Sequence, residues 1–291
     1  MPHPDYSHRL AVEVACSGPA EEGATVEGPI GPIGSKARAH LAYAIADVRA
    51  WSSRDYGPPS MGEDCLRGKI ALEEATRGDV LDAVAEASAR LNAHNDHSRG
   101  GTLDFYYSGH GLPDGALSLA DGALDAEERA EVWVRGNTHS SIRHIRFVLD
   151  CCYAGMMVAR LLLHPGHWSS YMLRDGWAAS LPSEEAFELP RLGHGVLTYV
   201  KTRPDPLEVV NNWKASDHKP SEEDICGLRT IDRETVHYLT NGRQHPLDVI
   251  NGHAISILGG RGDLELGDSE WSLHDLVDAL DGLPRQSARR R

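Results

Sequence analysis

Hydrophobic positions recur along the chain with two spacings, one typical of strands and one typical of helices. Short apolar runs rich in β-branched and aromatic residues predict strands, and these runs lie at 10–16, 69–72, 102–107, 145–149, 177–180 and 254–258. Helical spacing of apolar residues predicts helices, which we expect at 36–53, 76–91, 156–163, 195–201 and 221–239. Strands that alternate with helices favour an α/β domain, with a mainly parallel sheet of about six strands and helices on both faces.

The helix expected at 76–91 has a clearly marked beginning. Thr76 and Asp79 have the spacing of a capping box, in which each side chain bonds to the backbone N–H of the other residue. Gly and Pro at close intervals predict an exposed loop over 17–35. Because no repeat or linker interrupts the chain, we expect a single domain over 1–283 and a basic, solvated tail over 284–291.

The composition of the 291-residue chain narrows the classes of function. Its hydrophobic share of 41% and charged share of 25% are typical of a globular protein, and a formal net charge of −14 disfavours nucleic acid as a partner. No apolar run is long enough for a signal peptide or a membrane span, so neither export nor a membrane is expected. Five cysteines, an odd number, do not resemble a disulfide framework and favour a reducing, cytoplasmic setting.

Two of the predicted strands end in turns that carry reactive side chains. The strand at 102–107 leads into a Ser-Gly-His-Gly turn that contains His110, and the strand at 145–149 leads into an Asp-Cys-Cys turn that contains Cys152. Reactive groups collect at the carboxyl ends of parallel strands. We therefore expect the imidazole and the thiol to meet across one crevice, as a nucleophilic cysteine requires.

The predicted position of Cys152 also bears on its reactivity. It would lie at the start of the helix expected at 156–163, where unpaired backbone N–H groups and the helix dipole favour a thiolate. His110 would protonate a leaving amine or activate a water, and the N–H groups of Gly111 and Cys152 are the expected oxyanion donors. Taken alone, these residues leave a structural role open, because a buried cysteine is more often an inert apolar residue.

The two turns resemble the catalytic motifs of the caspase-like cysteine peptidases, above all those of the metacaspase and bacterial caspase-homologue branch. The Tyr-Ser-Gly-His-Gly sequence ends at Gly111, and the Asp-Cys-Cys-Tyr-Ala-Gly sequence ends at Gly155. Segments 75–77, 117–122 and 193–199 are also similar to that family, so that the likeness spans a core of about 8–260. The resemblance implies a caspase-like fold and a cysteine endopeptidase activity.

The resemblance further implies a role for each matched residue. Cys152 takes the place of the nucleophile, His110 that of the general acid and base, and Cys151 that of a variable neighbour. The residues that match the family's pocket for the side chain before the scissile bond are Asp150, Asp47 and Ser108. Two carboxylates in one pocket imply a preference for Arg or Lys, because they attract a cation and repel an acidic side chain.

The motifs imply no resident cofactor or metal. Calcium-dependent metacaspases use acidic residues around and after the cysteine motif, but the corresponding position here is Ala159, which does not support calcium activation. The sixteen histidines include no His-Glu-x-x-His motif. An acidic stretch could hold a cation but is more typical of a solvated face, and its members are Asp121, Asp125, Glu127 and Glu128.

Family behaviour also suggests how the activity would be used. Such peptidases are normally held inactive, and bacterial relatives often work beside partner proteins in stress and antiviral systems. The implied partners are a polypeptide substrate with a basic residue before the cleaved bond and an activating protein or small-molecule signal. Self-cleavage stays open, because Arg135, Arg174 and Arg191 lie in segments predicted as loops.

Three alternatives to this peptidase stay open. The first is an inactive caspase-fold scaffold that binds a partner protein, the second is a peptidase with a different residue preference, and the third is a metal-dependent hydrolase that uses the many histidines.

Overall fold

The computed structural model describes residues 8–18, 27–28, 31–32, 41–53, 66–94, 101–125, 142–163, 173–190, 192–202, 236, 239–241, 243–250, 253–256 and 271–272. The strands and helices within these ranges are, in chain order, β1 (His8–Cys16), β2 (Glu27–Gly28), β3 (Gly31–Pro32), α1 (Ala44–Ser52), β4 (Arg67–Glu73), α2 (Arg77–Ala93), β5 (Gly101–Gly109), β6 (Leu117–Leu119), β7 (Gly122–Leu124), β8 (Ile142–Asp150), α3 (Ala154–Leu163), β9 (Leu173–Ala178), β10 (Glu188–Leu189), β11 (His194–Gly195), α4 (Val196–Thr202), β12 (Leu247–Ile250), β13 (His253–Ser256) and β14 (Trp271–Ser272).

The centre of the fold is a parallel sheet. Within the described part of the chain, eight strands form one sheet in the order β14-β13-β12-β9-β8-β5-β1-β4. The five strands from β4 to β9 in this order are paired in parallel, whereas β12, β13 and β14 add antiparallel pairs at one edge. The mainly parallel α/β architecture predicted from the sequence is confirmed. The unpredicted β12 and β14 are short strands of four and two residues.

Helices cover both faces of the sheet, as predicted. Phe105 and Tyr107 of β5 belong to the core under α2 and α3, and Tyr106 belongs to the core under α1 and α4. Successive side chains of a strand point to opposite faces, so Ser108 lies on the same face as Tyr106. Asp150 of β8 shares that face, because it pairs in register with Ser108. The α1 and α4 face is therefore the one that reaches the candidate site.

The capping box of α2 is confirmed. The backbone N–H of Asp79 donates to Thr76 Oγ1 at 3.2 Å, and the N–H of Thr76 donates to Asp79 Oδ2 at 2.9 Å. The hydroxyl of Thr76 also donates to Asp79 Oδ2. This bond first, and the bond from the Thr76 N–H second, lower the pKa of the Asp79 carboxyl, because they stabilise its charged form. Asp121 also serves this helix, since its Oδ1 accepts the N–H of Arg77 at 2.7 Å. The carboxylate of Asp121 is thus hydrogen-bonded to the start of α2.

Three predictions about local structure need correction. The strand predicted at 177–180 is β9, which begins earlier, so Arg174 is paired with Ile145 in the sheet. The expectation that Arg174 lies in a loop is wrong, because its backbone is paired with β8 in the sheet. The predicted loop at 17–35 contains the β2 and β3 pair.

Several other predictions fall outside the described residues. They include cleavage at Arg135 or Arg191, the acidic residues Glu127 and Glu128, the tail at 284–291 and most of the helix expected at 221–239.

Candidate active site

His110 and Cys152 follow neighbouring parallel strands, β5 and β8. Ser108 pairs in register with Asp150, so His110 and Cys152 each come two residues after this pair. Adjacent strands are about 4.8 Å apart, which brings the two turns side by side. They are in van der Waals contact at Gly111, where an added Cβ would collide with the carbonyl oxygen of Cys152.

A small cleft opens at this edge of the sheet. The residues that line it are Leu41, Asp47, Ser108, Gly109, His110, Asp150, Cys151, Cys152, Ala186, Phe187, Glu188 and Gly195. Both residues assigned to chemistry and all three assigned to the substrate pocket border this one cleft. Gly111 reaches it through its contact with Cys152.

The position of His110 is restrained by its main chain and by its ring. Its carbonyl oxygen accepts the N–H of Ser118 at 2.9 Å and lies 2.9 Å from the Tyr107 hydroxyl. The ring of His110 lies against Gly18, where an added Cβ would be 2.8 Å from His110 Cδ2 and 3.1 Å from His110 Nε2. Gly18 also has φ +88°, a conformation that favours glycine. The ring therefore rests against a backbone with no room for a side chain.

Cys152 is half-buried just before α3, and its sulfur contacts the main chain of Ala186. The N–H of Ala186 donates to Sγ at 3.3 Å, and the carbonyl oxygen of Ala186 lies 3.7 Å from Sγ. The expectation that the start of the helix leaves its N–H groups unpaired is wrong. The N–H of Ala154 donates to Ser180 Oγ at 3.3 Å, and that of Gly155 donates to Ser180 O at 2.9 Å. Ala186 supplies the sulfur with an N–H donor that the sequence did not indicate.

The other two cysteines in the described part of the chain are buried. Cys151 is 3% exposed and belongs to the core under α2 and α3. Burial, with a smaller contribution from Glu74, raises the pKa of the Cys16 thiol to about 12, so that thiol stays protonated near neutral pH. None of the three is in a disulfide. Cys152 is the most exposed of them.

Asp47 projects from α1 into the floor of the cleft and is fully buried. Its Oδ2 accepts the hydroxyl of Ser108 at 2.8 Å, and both of its oxygens lie 3.1 Å from the N–H of Gly195. Its Oδ1 also lies 2.8 Å from Nδ1 of His194. His194 is a partner that the sequence pattern did not assign to this pocket, and it is brought there by the β10 and β11 pair.

Asp150 ends β8 on the same floor and is 5% exposed. Its Oδ2 accepts the N–H of Thr198 at 2.8 Å and the hydroxyl of Thr198 at 2.6 Å. A Cβ added to Gly195 would lie 2.5 Å from Asp150 Oδ2 and 3.0 Å from Asp47 Oδ2, so the two carboxylates border one point. Burial first, and the charge of Asp47 second, raise the pKa of Asp150 to about 7, because both disfavour its ionised form.

Glu188 adds a third carboxylate to the cleft. It accepts the N–H groups of Ala42 and Tyr43, at 3.1 and 3.3 Å, just before α1. Burial and the nearby charge of Asp47 raise the pKa of Glu188 to about 7. Nothing in the sequence pattern marks this residue, because β10 is only two residues long and reaches the cleft through its pairing with Gly195.

Within the residue ranges given above, no group of three or more His, Cys, Asp and Glu side chains is arranged to hold a metal ion. In the same ranges, no helix is long and apolar enough to cross a membrane.

Comparisons with known proteins give structural likenesses only. No protein-family model and no curated protein sequence matches the chain. Protein GSU0716 from Geobacter sulfurreducens aligns over 84% of this chain and 93% of its own, with 15% identity and a TM-score of 0.49. Caspase-1 from Spodoptera frugiperda aligns over 86% of this chain and 90% of its own, with 10% identity and a TM-score of 0.42. At identities and TM-scores this low, neither structure transfers a function to this chain.

Proposed function

We propose that the protein is a caspase-like cysteine endopeptidase that cleaves polypeptides after Arg or Lys. The observation that carries the proposal is the single cleft in which His110, Cys152 and a floor of carboxylates meet. Its support is chemical, because a thiol, an imidazole and an anionic pocket are the three parts that such a reaction needs. The motif resemblance agrees with this assignment.

The proposed reaction has two steps. The Cys152 thiolate attacks the carbonyl carbon, and the negative charge on the oxygen is stabilised by the N–H groups of Gly111 and Cys152. His110 donates a proton to the leaving nitrogen, the C–N bond breaks, and a thioester remains on Cys152. His110 then takes a proton from a water that attacks the thioester carbonyl, which releases the carboxylic acid and restores the thiolate.

The preference for a basic residue follows from the pocket floor. Asp47 and Asp150 are buried beside each other, and burial first, with their mutual repulsion second, raises the pKa of Asp150. A substrate guanidinium would relieve that repulsion and replace lost hydration with charge-assisted hydrogen bonds. Ser108 supports the pocket by holding Asp47 through its hydroxyl. An acidic substrate side chain would add a further negative charge and be excluded.

Regulation is part of the proposal. The main chain of Ala186 contacts Cys152 Sγ through both its N–H and its carbonyl oxygen, and a substrate carbonyl must approach the same sulfur. Binding therefore requires residues 184–188 to adjust, which a partner protein, a small-molecule signal or a processing event could promote in a stress or defence pathway. A thiolate nucleophile also suits a reducing cytoplasm, because oxidation would silence it.

Peptide reporters ending in Arg, Lys, Asp or Ala test this function. We expect cleavage of the Arg and Lys reporters, with and without calcium, and no cleavage of the Asp reporter. Cys152→Ala should abolish the activity, because it removes the nucleophile, and Cys151→Ala should largely preserve it, because that thiol lies in the core. Loss of activity in Cys151→Ala alone would reverse the assignment. A wild-type chain that cleaves nothing, with or without candidate partners, would favour the scaffold alternative.

A further inference from the structure

Gln244 reaches the candidate site from outside the cleft. Its side chain is fully buried, and its Oε1 accepts the N–H of Phe187 at 2.9 Å while its Nε2 donates to Ala179 O at 3.0 Å. Phe187 follows Ala186, whose N–H donates to Cys152 Sγ. One side-chain amide thus connects the end of β9 with the peptide segment that contacts the thiol.

Both ends of this connection are tied to the core. The N–H of Ala179 donates to Leu149 O at 2.9 Å, and the carbonyl of Phe187 accepts the N–H of Val196 at 3.0 Å. A buried amide is costly unless its polar groups are bonded, and both ends of the Gln244 amide have partners. An apolar side chain would fill the same space without that cost but could not hold Phe187. This choice of residue is explained by a need to fix the backbone next to Ala186.

We propose that Gln244 is a positioning residue for the nucleophile in the substrate-free protein, the state in which Ala186 contacts the sulfur and from which residues 184–188 adjust when substrate binds. It fixes the peptide between Ala186 and Phe187, whose carbonyl oxygen lies 3.7 Å from Cys152 Sγ. It thereby holds Ala186 in place, so that the N–H of Ala186, at the shorter distance of 3.3 Å, stays directed at the sulfur. This inference rests on the proposed role of Cys152 as the nucleophile. Because an N–H donor stabilises a thiolate more than a thiol, losing its alignment lowers the thiolate fraction at a given pH.

The test is the rate at which iodoacetamide alkylates Cys152 in the full chain, mapped by peptide mass spectrometry across a range of pH. Gln244→Met keeps the size of the side chain and removes both hydrogen bonds. We expect its alkylation profile to shift to higher pH and its rate at neutral pH to fall by about five- to tenfold. Val84→Ala, a core truncation in α2, is the control for lost stability and should leave the profile unchanged.

Gln244→Glu distinguishes positioning from packing. While the introduced carboxyl is protonated, it can accept from Phe187 and donate to Ala179, as the amide does. Once ionised, it loses the donor. The ratio of its alkylation rate to that of the wild type should be near one at low pH and should fall as pH rises.

Two results would overturn the inference. The first is a wild-type pH profile of alkylation in Gln244→Met. The second, which applies if Gln244→Met does not fold, is a ratio of the Gln244→Glu alkylation rate to the wild-type rate that does not change with pH. A wild-type chain that cleaves no reporter, with or without candidate partners, while Gln244→Met still shows the shift would instead refute the peptidase proposal and leave the positioning role in place.

Discussion

Gly18 and Gly111 have no side chains, so the backbone at each of them lies directly against a residue of the candidate site. Gly111 allows its turn to contact the carbonyl of Cys152, and Gly18 allows its backbone to support the ring of His110. The first glycine is part of a recognisable motif, whereas the second lies far from that motif in the chain. The geometry of this site therefore depends on the two glycines, which lack a side chain, as much as on the functional groups.

Replacement of Gly18 by Ala should impair catalysis more than stability. The new Cβ would approach the His110 ring to 2.8 Å, and we expect reporter cleavage to fall by about tenfold or more, since small displacements of a catalytic group are costly. The matched control is Gly193→Ala, because Gly193 has φ +69° but nothing within 4 Å of an added Cβ. Each variant should lose about 1 kcal/mol of unfolding free energy for its backbone conformation. Equal activity in the two variants would show that Gly18 does not position the imidazole.

Asp150 should make the preference for Arg depend on pH. Its pKa is raised to about 7, so the pocket gains negative charge as pH rises through that value. We expect the ratio of kcat/KM for an Arg reporter to that for a Gln reporter to rise over the same range, since titration of the thiol and imidazole cancels in the ratio. Asp150→Asn should abolish the rise and lower the ratio by about tenfold or more. A ratio independent of pH in the wild type would contradict this role.

At the scale of elements, the two faces of the sheet contribute differently to the core and to the candidate site. The α2 and α3 face carries the larger core cluster, and the α1 and α4 face supplies Asp47 to the cleft and Thr198 as the hydrogen-bond donor to Asp150. The strands and the turns after them could be predicted, because apolar runs and small-residue turns are local signals. Ala186, Glu188, His194 and Gln244 could not, because short strands and distant loops bring them in through tertiary contacts.

A pair of substitutions, one on each face, tests this division. Thr76→Ala removes the cap of α2 and should cost about 1 kcal/mol of unfolding free energy with no change in KM for an Arg reporter. Thr198→Val removes the hydroxyl that donates to Asp150, which should raise KM for that reporter about fivefold by disfavouring the ionised carboxylate. Thermal unfolding and steady-state kinetics would measure both effects. A change in KM with Thr76→Ala as large as that with Thr198→Val would contradict the division.

At the scale of the whole molecule, three acidic side chains lie together in a cleft where water solvates them poorly. The chain has a formal net charge of −14, and Asp150 and Glu188 lie in the cleft beside a third carboxylate. Their raised pKa values, both about 7, mean that the folded protein retains protons which the unfolded chain has already released. These carboxyls therefore cost stability in the folded protein, and in the proposed peptidase a substrate cation would offset that cost.

Stability should therefore depend on pH in a defined direction. Between about pH 4 and pH 7 the folded state binds more protons than the unfolded state, so the free energy of unfolding should fall as pH rises and level off above pH 7. Asp150→Asn should reduce the fall, because the amide has no proton to lose. Urea unfolding at several pH values would measure this. Stability that rises over this interval, in both proteins alike, would show that these carboxyls do not hold raised pKa values.

Covalent labelling tests the central claim most directly. An irreversible peptidyl inhibitor that ends in Arg should add once to the wild-type chain, and peptide mapping should place the adduct on Cys152. Labelling should persist in Cys151→Ala, disappear in Cys152→Ala, and weaken strongly when the inhibitor ends in Asp. Labelling of another residue, or no labelling under conditions where iodoacetamide still reaches Cys152, would contradict the assignment of this cleft as the active site of an Arg- or Lys-directed cysteine peptidase.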